Sequence, residues 1–152
     1  MQENGIELFS LPAETRLRQY LATDHRNLVI DKITHLAGDA STRQYLRIHS
    51  GDKSLIAALY QERFNVAEQS FCQTTELFAQ LPIPQIIAIS GDFAIILLED
   101  LGDIKLQDWL VSASALEQCN AYYEAVKLIL DIQATTDYAL KINAPATQLL
   151  LS

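Results

Sequence analysis

Two short stretches of this chain hold the residues best suited to chemistry. The first is Gly38-Asp39-Ala40-Ser41-Thr42-Arg43. Its small residues let main-chain N–H groups come close to an anion, its two hydroxyls add donors, and its guanidinium adds charge, a combination that suits a phosphate. By itself the same stretch is also an ordinary turn between strands. Asp39 sets a like charge beside any phosphate unless it points away or meets Arg43. The second stretch, Glu99-Asp100-Leu101-Gly102-Asp103, is a polar connector with a glycine that follows a continuous apolar run.

Other chemistries find little support. His25, His35 and His49 are isolated and read as surface histidines, and none opens a His-x-Asp-x-x-x-x-Asn segment. No serine-nucleophile motif, zinc-ligand spacing or GxGxxG string occurs. Cys72 and Cys119 stand alone and read as two buried thiols in a reducing compartment.

The elements that must position the two stretches follow from periodicity. Pro12 opens a short helix in which Leu17, Tyr20 and Leu21 recur at helical spacing. An extended segment, Leu28 to Leu36, leads into the small polar loop. Beyond the loop Leu46 and Ile48 alternate with Arg47 and His49, the pattern of a half-buried strand. Ser50-Gly51-Asp52 then turns the chain into a third strand, Ser54 to Tyr60.

A helix is expected from Asn65 to about Gln80, with Asn65 and Glu68 as a variant capping box and Pro82 and Pro84 ending it. Ile86–Ile89 and Phe93–Leu98 make two more strands around Ser90-Gly91-Asp92. The second is continuously apolar, as a central strand buried on both faces must be. Past Leu98 no strand is expected. A short helix, Lys105 to Leu110, precedes a long one whose Ser114 and Glu117 form a capping box and whose stripe is Leu116, Cys119, Tyr123, Val126 and Leu130.

The fold class is therefore α+β: a five-stranded antiparallel sheet with one inserted helix, followed by helices. Residues 1–100 form a β-rich lobe, and residues 101–152 form a hinge and the start of a helical lobe. The chain closes on the apolar run Leu149-Leu150-Leu151 and reads as cut short within that helical lobe.

Charge narrows the function classes. Residues 1–60 carry seven basic and seven acidic side chains, and residues 61–152 carry four and twelve, so the net charge of −8 falls in the second part. An acidic surface repels nucleic-acid backbones and anionic lipid heads, and it tolerates neutral or cationic small molecules. The polar, acidic N-terminus lacks the pattern of a signal peptide, and the apolar runs are too short to span a bilayer, which points to the cytoplasm.

Helix, three strands, helix, two strands and an acidic hinge into helices is the element order of a protein-kinase-like N-lobe. The string Asp39-Ala40-Ser41-x-Arg43-x-Tyr45-x-Arg47, with Leu97-Leu98-Glu99-Asp100-Leu101-Gly102 about fifty residues on, resembles the aminoglycoside-phosphotransferase-like family. Within it, the nearest branch is the bacterial sugar kinases that phosphorylate the anomeric hydroxyl of N-acetylmuramate and N-acetylglucosamine in cell-wall recycling. The resemblance spans roughly residues 13–135.

It implies an ATP-dependent phosphotransferase acting on a sugar or small alcohol such as an amino sugar. The loop Gly38, Asp39, Ala40, Ser41, Thr42 and Arg43 would face the ATP phosphates. The main chain of Glu99, Asp100 and Leu101 would hold adenine. The Mg²⁺ ligands and the catalytic base belong to a later segment, so no catalytic residue is assigned in this chain, which alone should transfer no phosphate.

The family's third-strand lysine has no counterpart, because Ala57 or Ala58 stands there, as also tends to happen in the cell-wall branch. The alternative is a non-catalytic kinase-like binding or interaction module. If the loop seats ATP, changing Ser41 and Thr42 together to Val raises the KM for ATP far more than that for the acceptor. An unchanged KM for ATP in a folded variant would reduce the loop to a turn.

Overall fold

The computed structural model describes residues 8–23, 28–37 and 43–141. Their elements are α1 (Ala13–Thr23), β1 (Lys32–Leu36), β2 (Gln44–Ser50), β3 (Lys53–Leu59), a 3₁₀ turn (Val66–Glu68) and α2 (Ser70–Leu77). These are followed by β4 (Ile86–Ser90), β5 (Ile95–Glu99), α3 (Leu106–Ser112), α4 (Ala115–Ala134) and α5 (Thr136–Lys141). The protein is α+β. Its five strands form one antiparallel sheet in the order β1-β2-β3-β5-β4.

The chain divides into two compact units. One comprises the described residues up to Gln69 together with Pro84–Asp100; the other comprises Ser70–Ile83 and the described residues from Leu101 onward. The inserted helix α2 thus belongs to the second unit, where its buried Leu77 packs with Ala139 and Phe78.

In the first unit, α1 covers one face of the sheet. Leu17 and Tyr20 meet Leu46 and Ile48 of β2, Ala57 and Leu59 of β3, and Ile95 and Leu97 of β5. The Tyr20 ring also lies against Phe93, centroids 5.5 Å apart and tilted by 50°. β5 sits between β3 and β4 with Ile95 to Leu98 all buried, as expected of a two-sided strand.

Two turns set the strand connections. Gly51, at φ 56°, takes the left-handed conformation of the two-residue β2–β3 hairpin, and its N–H donates to Asp31 Oδ2 at 2.6 Å. Gly91 is required for a different reason. A Cβ there would run into the carbonyl oxygen of Phe64, whose own N–H donates to the Gly91 carbonyl at 3.3 Å.

Several local expectations change. The first strand begins at Lys32 rather than Leu28, and Leu28 and Ile30 pack against the core from outside the ladder. Asn65 does cap, accepting from the Ala67 N–H at 3.1 Å, but it caps only the 3₁₀ turn. Gln69 is extended, with ψ 113°, and so separates that turn from α2.

In the second unit the Ser114–Glu117 capping box is complete, which holds the Glu117 carboxyl below its usual range through the Ser114 hydroxyl first and its N–H second. Gln118 Nε2 donates to the Leu110 and Ala113 carbonyls, each at 3.1 Å, tying α3 to α4. No residue of α4 is buried, and Leu116 and Tyr123 of its stripe are 72% and 68% exposed. Cys119 is exposed, contrary to the expectation of two buried thiols; Cys72 is half-buried, and burial pushes its thiol up. Among the described residues no helix is long and apolar enough to cross a membrane.

Leu17 is fully buried between α1 and the sheet, so Leu17→Ala lowers unfolding stability by about 2–5 kcal/mol. Gly91→Ala forces the Phe64 segment to move and costs on the order of 1–3 kcal/mol. Urea unfolding of both variants checks the pair, and a neutral Gly91→Ala would show that the turn yields without strain.

Candidate functional site

The pleat of β2 sorts its side chains. Leu46 and Ile48 go to the α1 face, so Tyr45 and Arg47, at alternate positions, go to the other, and Arg43, just before the strand, keeps the same parity. Register carries this across the sheet: Tyr45 lies opposite Ala58, and Ala58 opposite Ile96. This decides between the two alanines at the expected lysine position. Ala57 is packed into the core beneath α1, and Ala58 lies on the face that Arg43, Tyr45 and Arg47 share.

On that face Asp100 is held by two strands at once. Arg47 Nη2 donates to Oδ1 at 3.1 Å, Arg47 Nε lies 2.7 Å from Oδ2 as a close charge contact, and the Ser54 hydroxyl donates to Oδ2 at 2.6 Å. The Asp100 side chain is only 4% exposed. The pair links β2, β3 and the end of β5, and it leaves the carboxylate with a structural task rather than a ligand.

Arg43 lies next to Tyr60, which follows β3. Its Nη1 donates to the phenol oxygen over a long 3.4 Å, and the guanidinium carbon lies 5.6 Å from the ring centroid. The bond to Tyr60 holds the Arg43 guanidinium above its ordinary value, against the opposing effect of burial and with help from Tyr45. It remains charged at any physiological pH.

Tyr60 joins several parts of the first unit. Its N–H donates to the Ala94 carbonyl at 2.9 Å, its carbonyl accepts from Arg16 Nη2 at 2.7 Å, and its ring meets Phe64 edge-on at 5.0 Å.

The remaining predicted residues separate into three groups. Gly38, Asp39, Ala40, Ser41 and Thr42 lie outside the described residues, as does His25. Glu99 uses its N–H on the Gln85 carbonyl at 2.9 Å, and its carboxylate accepts from the Gln85 N–H at 3.2 Å, so that donor is already engaged in the sheet. Leu101 is 66% exposed. His35 is exposed, while His49 is half-buried with its Nε2 at 2.8 Å from the Thr34 hydroxyl.

Tyr60 and Arg16 were not anticipated. For Arg16 a signal existed: Ala13, Arg16, Leu17 and Tyr20 fall at i, i+3, i+4 and i+7, so a cation stands on the apolar face of its helix. Tyr60 carried none beyond closing an apolar strand. Among the described residues no group of three or more His, Cys, Asp or Glu side chains could hold a metal. Since Asp100 is committed to Arg47 and Ser54, these residues do not fit Mg²⁺.

Compared with protein-family models, curated proteins and solved structures, the chain matches none.

The Arg47–Asp100 pair yields a coupled prediction. Arg47→Met or Asp100→Leu alone strands a buried charge and costs about 3–5 kcal/mol, whereas the double variant loses far less than the sum. Urea unfolding of the four proteins measures the coupling, and additive losses would show that the pair has none.

Proposed function

We propose that this chain is the nucleotide-binding part of an ATP-dependent phosphotransferase acting on a sugar or small alcohol. The observation that carries the reading is the one-sided row Arg43, Tyr45, Arg47, which leads away from the Gly38–Thr42 stretch on the sheet face opposite α1. An Asp-Ala-Ser-x-Arg-x-Tyr-x-Arg string would be idle if the strand alternated its arginines into the core. On this strand they share one surface with an aromatic ring between them.

The roles follow from what each residue already does. Arg43 keeps its charge and stands on the same face as Tyr45, next to the Gly38–Thr42 stretch in sequence, so it is the residue assigned to a phosphate oxygen. Arg47 is occupied by Asp100 and acts as a positioning residue, holding the end of β5 where the connector begins. For the adenine edge the reading relies on the main chain of Leu101, because the Glu99 N–H is engaged by Gln85. The acceptor would be a small neutral or cationic molecule such as an amino sugar, in keeping with the acidic charge of residues 61–152.

One observation favours a second reading. Ala58 faces the same side as Arg43 and Tyr45, so no cation stands at the position where a lysine would meet the α- and β-phosphates. A kinase-like module that binds a nucleotide, or a protein, without transferring phosphate would have that residue too.

Titration calorimetry with ATP separates the readings. The proposal expects saturable binding of ATP, weakened about tenfold or more by Arg43→Gln through loss of a charge-assisted contact, with the unfolding midpoint nearly unchanged. Radiolabelled phosphate transfer to amino sugars by the full gene product then tells the enzyme from the binding module. Absence of ATP binding at millimolar concentration would overturn both nucleotide readings.

A further inference from the structure

A second polar site lies on the opposite, α1 face of the sheet. There a cavity of about 300 Å³ is lined by residues that include Arg16, Ala13, Phe9, Gln44, Leu59 and Gln61. We propose that this cavity binds a small oxyanion, the carboxylate or phosphoryl group of a small molecule, with Arg16 as its counter-charge.

Arg16 is the reason. Its residue is only 5% exposed, and it is the buried charged residue of the core among those described. A buried guanidinium is retained at a cost unless an anion meets it. Here Nη2 donates to a neutral acceptor, the Tyr60 carbonyl, at 2.7 Å, and the Phe9 ring lies 5.0 Å from the guanidinium carbon. Its Nε has no hydrogen-bond partner, and no carboxylate among the described residues forms an ion pair with it. The neighbouring Glu14 is used by Arg18, at 2.8 Å one turn along α1. Burial without a countercharge also lowers the Arg16 guanidinium below its ordinary value.

The surroundings agree with an anionic occupant. Ala13 opens α1, an eleven-residue helix, so the cavity meets its first turn, where N–H groups lack intrahelical acceptors and the helix dipole is positive. Gln44 and Gln61 bring amide donors without negative charge. Phe9 and Leu59 supply apolar wall, and the volume is at the small end of sites for small molecules, roughly 300–1,000 Å³. A small acid or phosphate ester with a short carbon skeleton fits these terms.

The cavity and the proposed nucleotide face lie on opposite sides of the sheet and share only Tyr60, which lines the cavity and turns its hydroxyl to Arg43. Leu59 belongs to the core under α1, and Gln44 pairs with it in register, whereas Arg43 and Tyr45 have the opposite parity. An anion on Arg16 is therefore a different ligand position from a phosphate on Arg43.

Thermal unfolding of the chain in sodium phosphate, sodium acetate and sodium chloride at matched ionic strength tests the proposal. At tens of millimolar, phosphate or acetate should raise the Tm of the wild-type protein by a few degrees above chloride, because an anion bound only to the folded state stabilises it. A response to phosphate alone assigns a phosphoryl ligand, and a response to acetate alone assigns a carboxylate. Arg16→Met and Gln44→Glu should both abolish the shift, while Lys127→Gln, which removes an exposed cation of α4, keeps it. Should Arg16→Met fail to fold, Gln44→Glu decides, since it leaves Arg16 and its bond to Tyr60 in place. No anion-specific shift in the wild type, an undiminished shift in Gln44→Glu, or loss of the shift in Lys127→Gln would overturn the inference.

Discussion

The two-residue period of β2 is the constraint on which the first unit depends. A pleated strand cannot bury Leu46 and Ile48 under α1 without turning Tyr45 and Arg47 to the other side. A slip of one residue would drive two guanidinium-bearing positions into a core of Leu17, Ile95 and Leu97. The cost of burying those charges therefore fixes the register as firmly as the gain from burying leucine and isoleucine. The make-up of the polar face follows from that sorting, including which alanine of β3 stands where a lysine is expected.

Arg16 and Arg47 solve the same electrostatic problem differently. Arg47 is matched by Asp100, which also accepts from Ser54, so its charge is met, with one hydrogen bond from Nη2 and a charge contact from Nε. Such a pair adds little net stability over an apolar one, but it rewards a single arrangement of β2, β3 and the end of β5. Arg16 has a main-chain carbonyl and an aromatic ring in place of a carboxylate. Tyr60 stands between the two solutions: its carbonyl serves Arg16, its hydroxyl serves Arg43, and its N–H keeps the chain end of β3 against Ala94.

The second unit rests on local signals to a greater extent. The Ser114–Glu117 box starts α4, and Gln118 satisfies carbonyls at the end of α3, all within a few residues of sequence. Its apolar stripe is nevertheless largely exposed, with Val126 and Leu130 at 56% and 59%. Periodicity identifies such a face, but only another surface can bury it.

Local signals in the chain suffice for the five strands, their antiparallel succession, the interior place of the apolar β5 and the capping of α4, because each rests on contacts between neighbours or on simple periodicity. The sequence also marked Arg43, Asp100 and Leu101 as residues of interest by their motif. What those residues are committed to depends on partners far away in the chain. Asp100 looked like a connector residue until Arg47 and Ser54, 53 and 46 positions away, closed on it. The Glu99 N–H was open until Gln85 took it, and Ala57 and Ala58 were equivalent until register put one under α1 and the other across from Tyr45. Spacing put Arg16 on the apolar face of its helix, but its bond to Tyr60 exists only because the chain after β3 returns to that face. Hydrogen bonds and ion pairs between distant residues depend on where the backbone returns in space, and no local pattern encodes that.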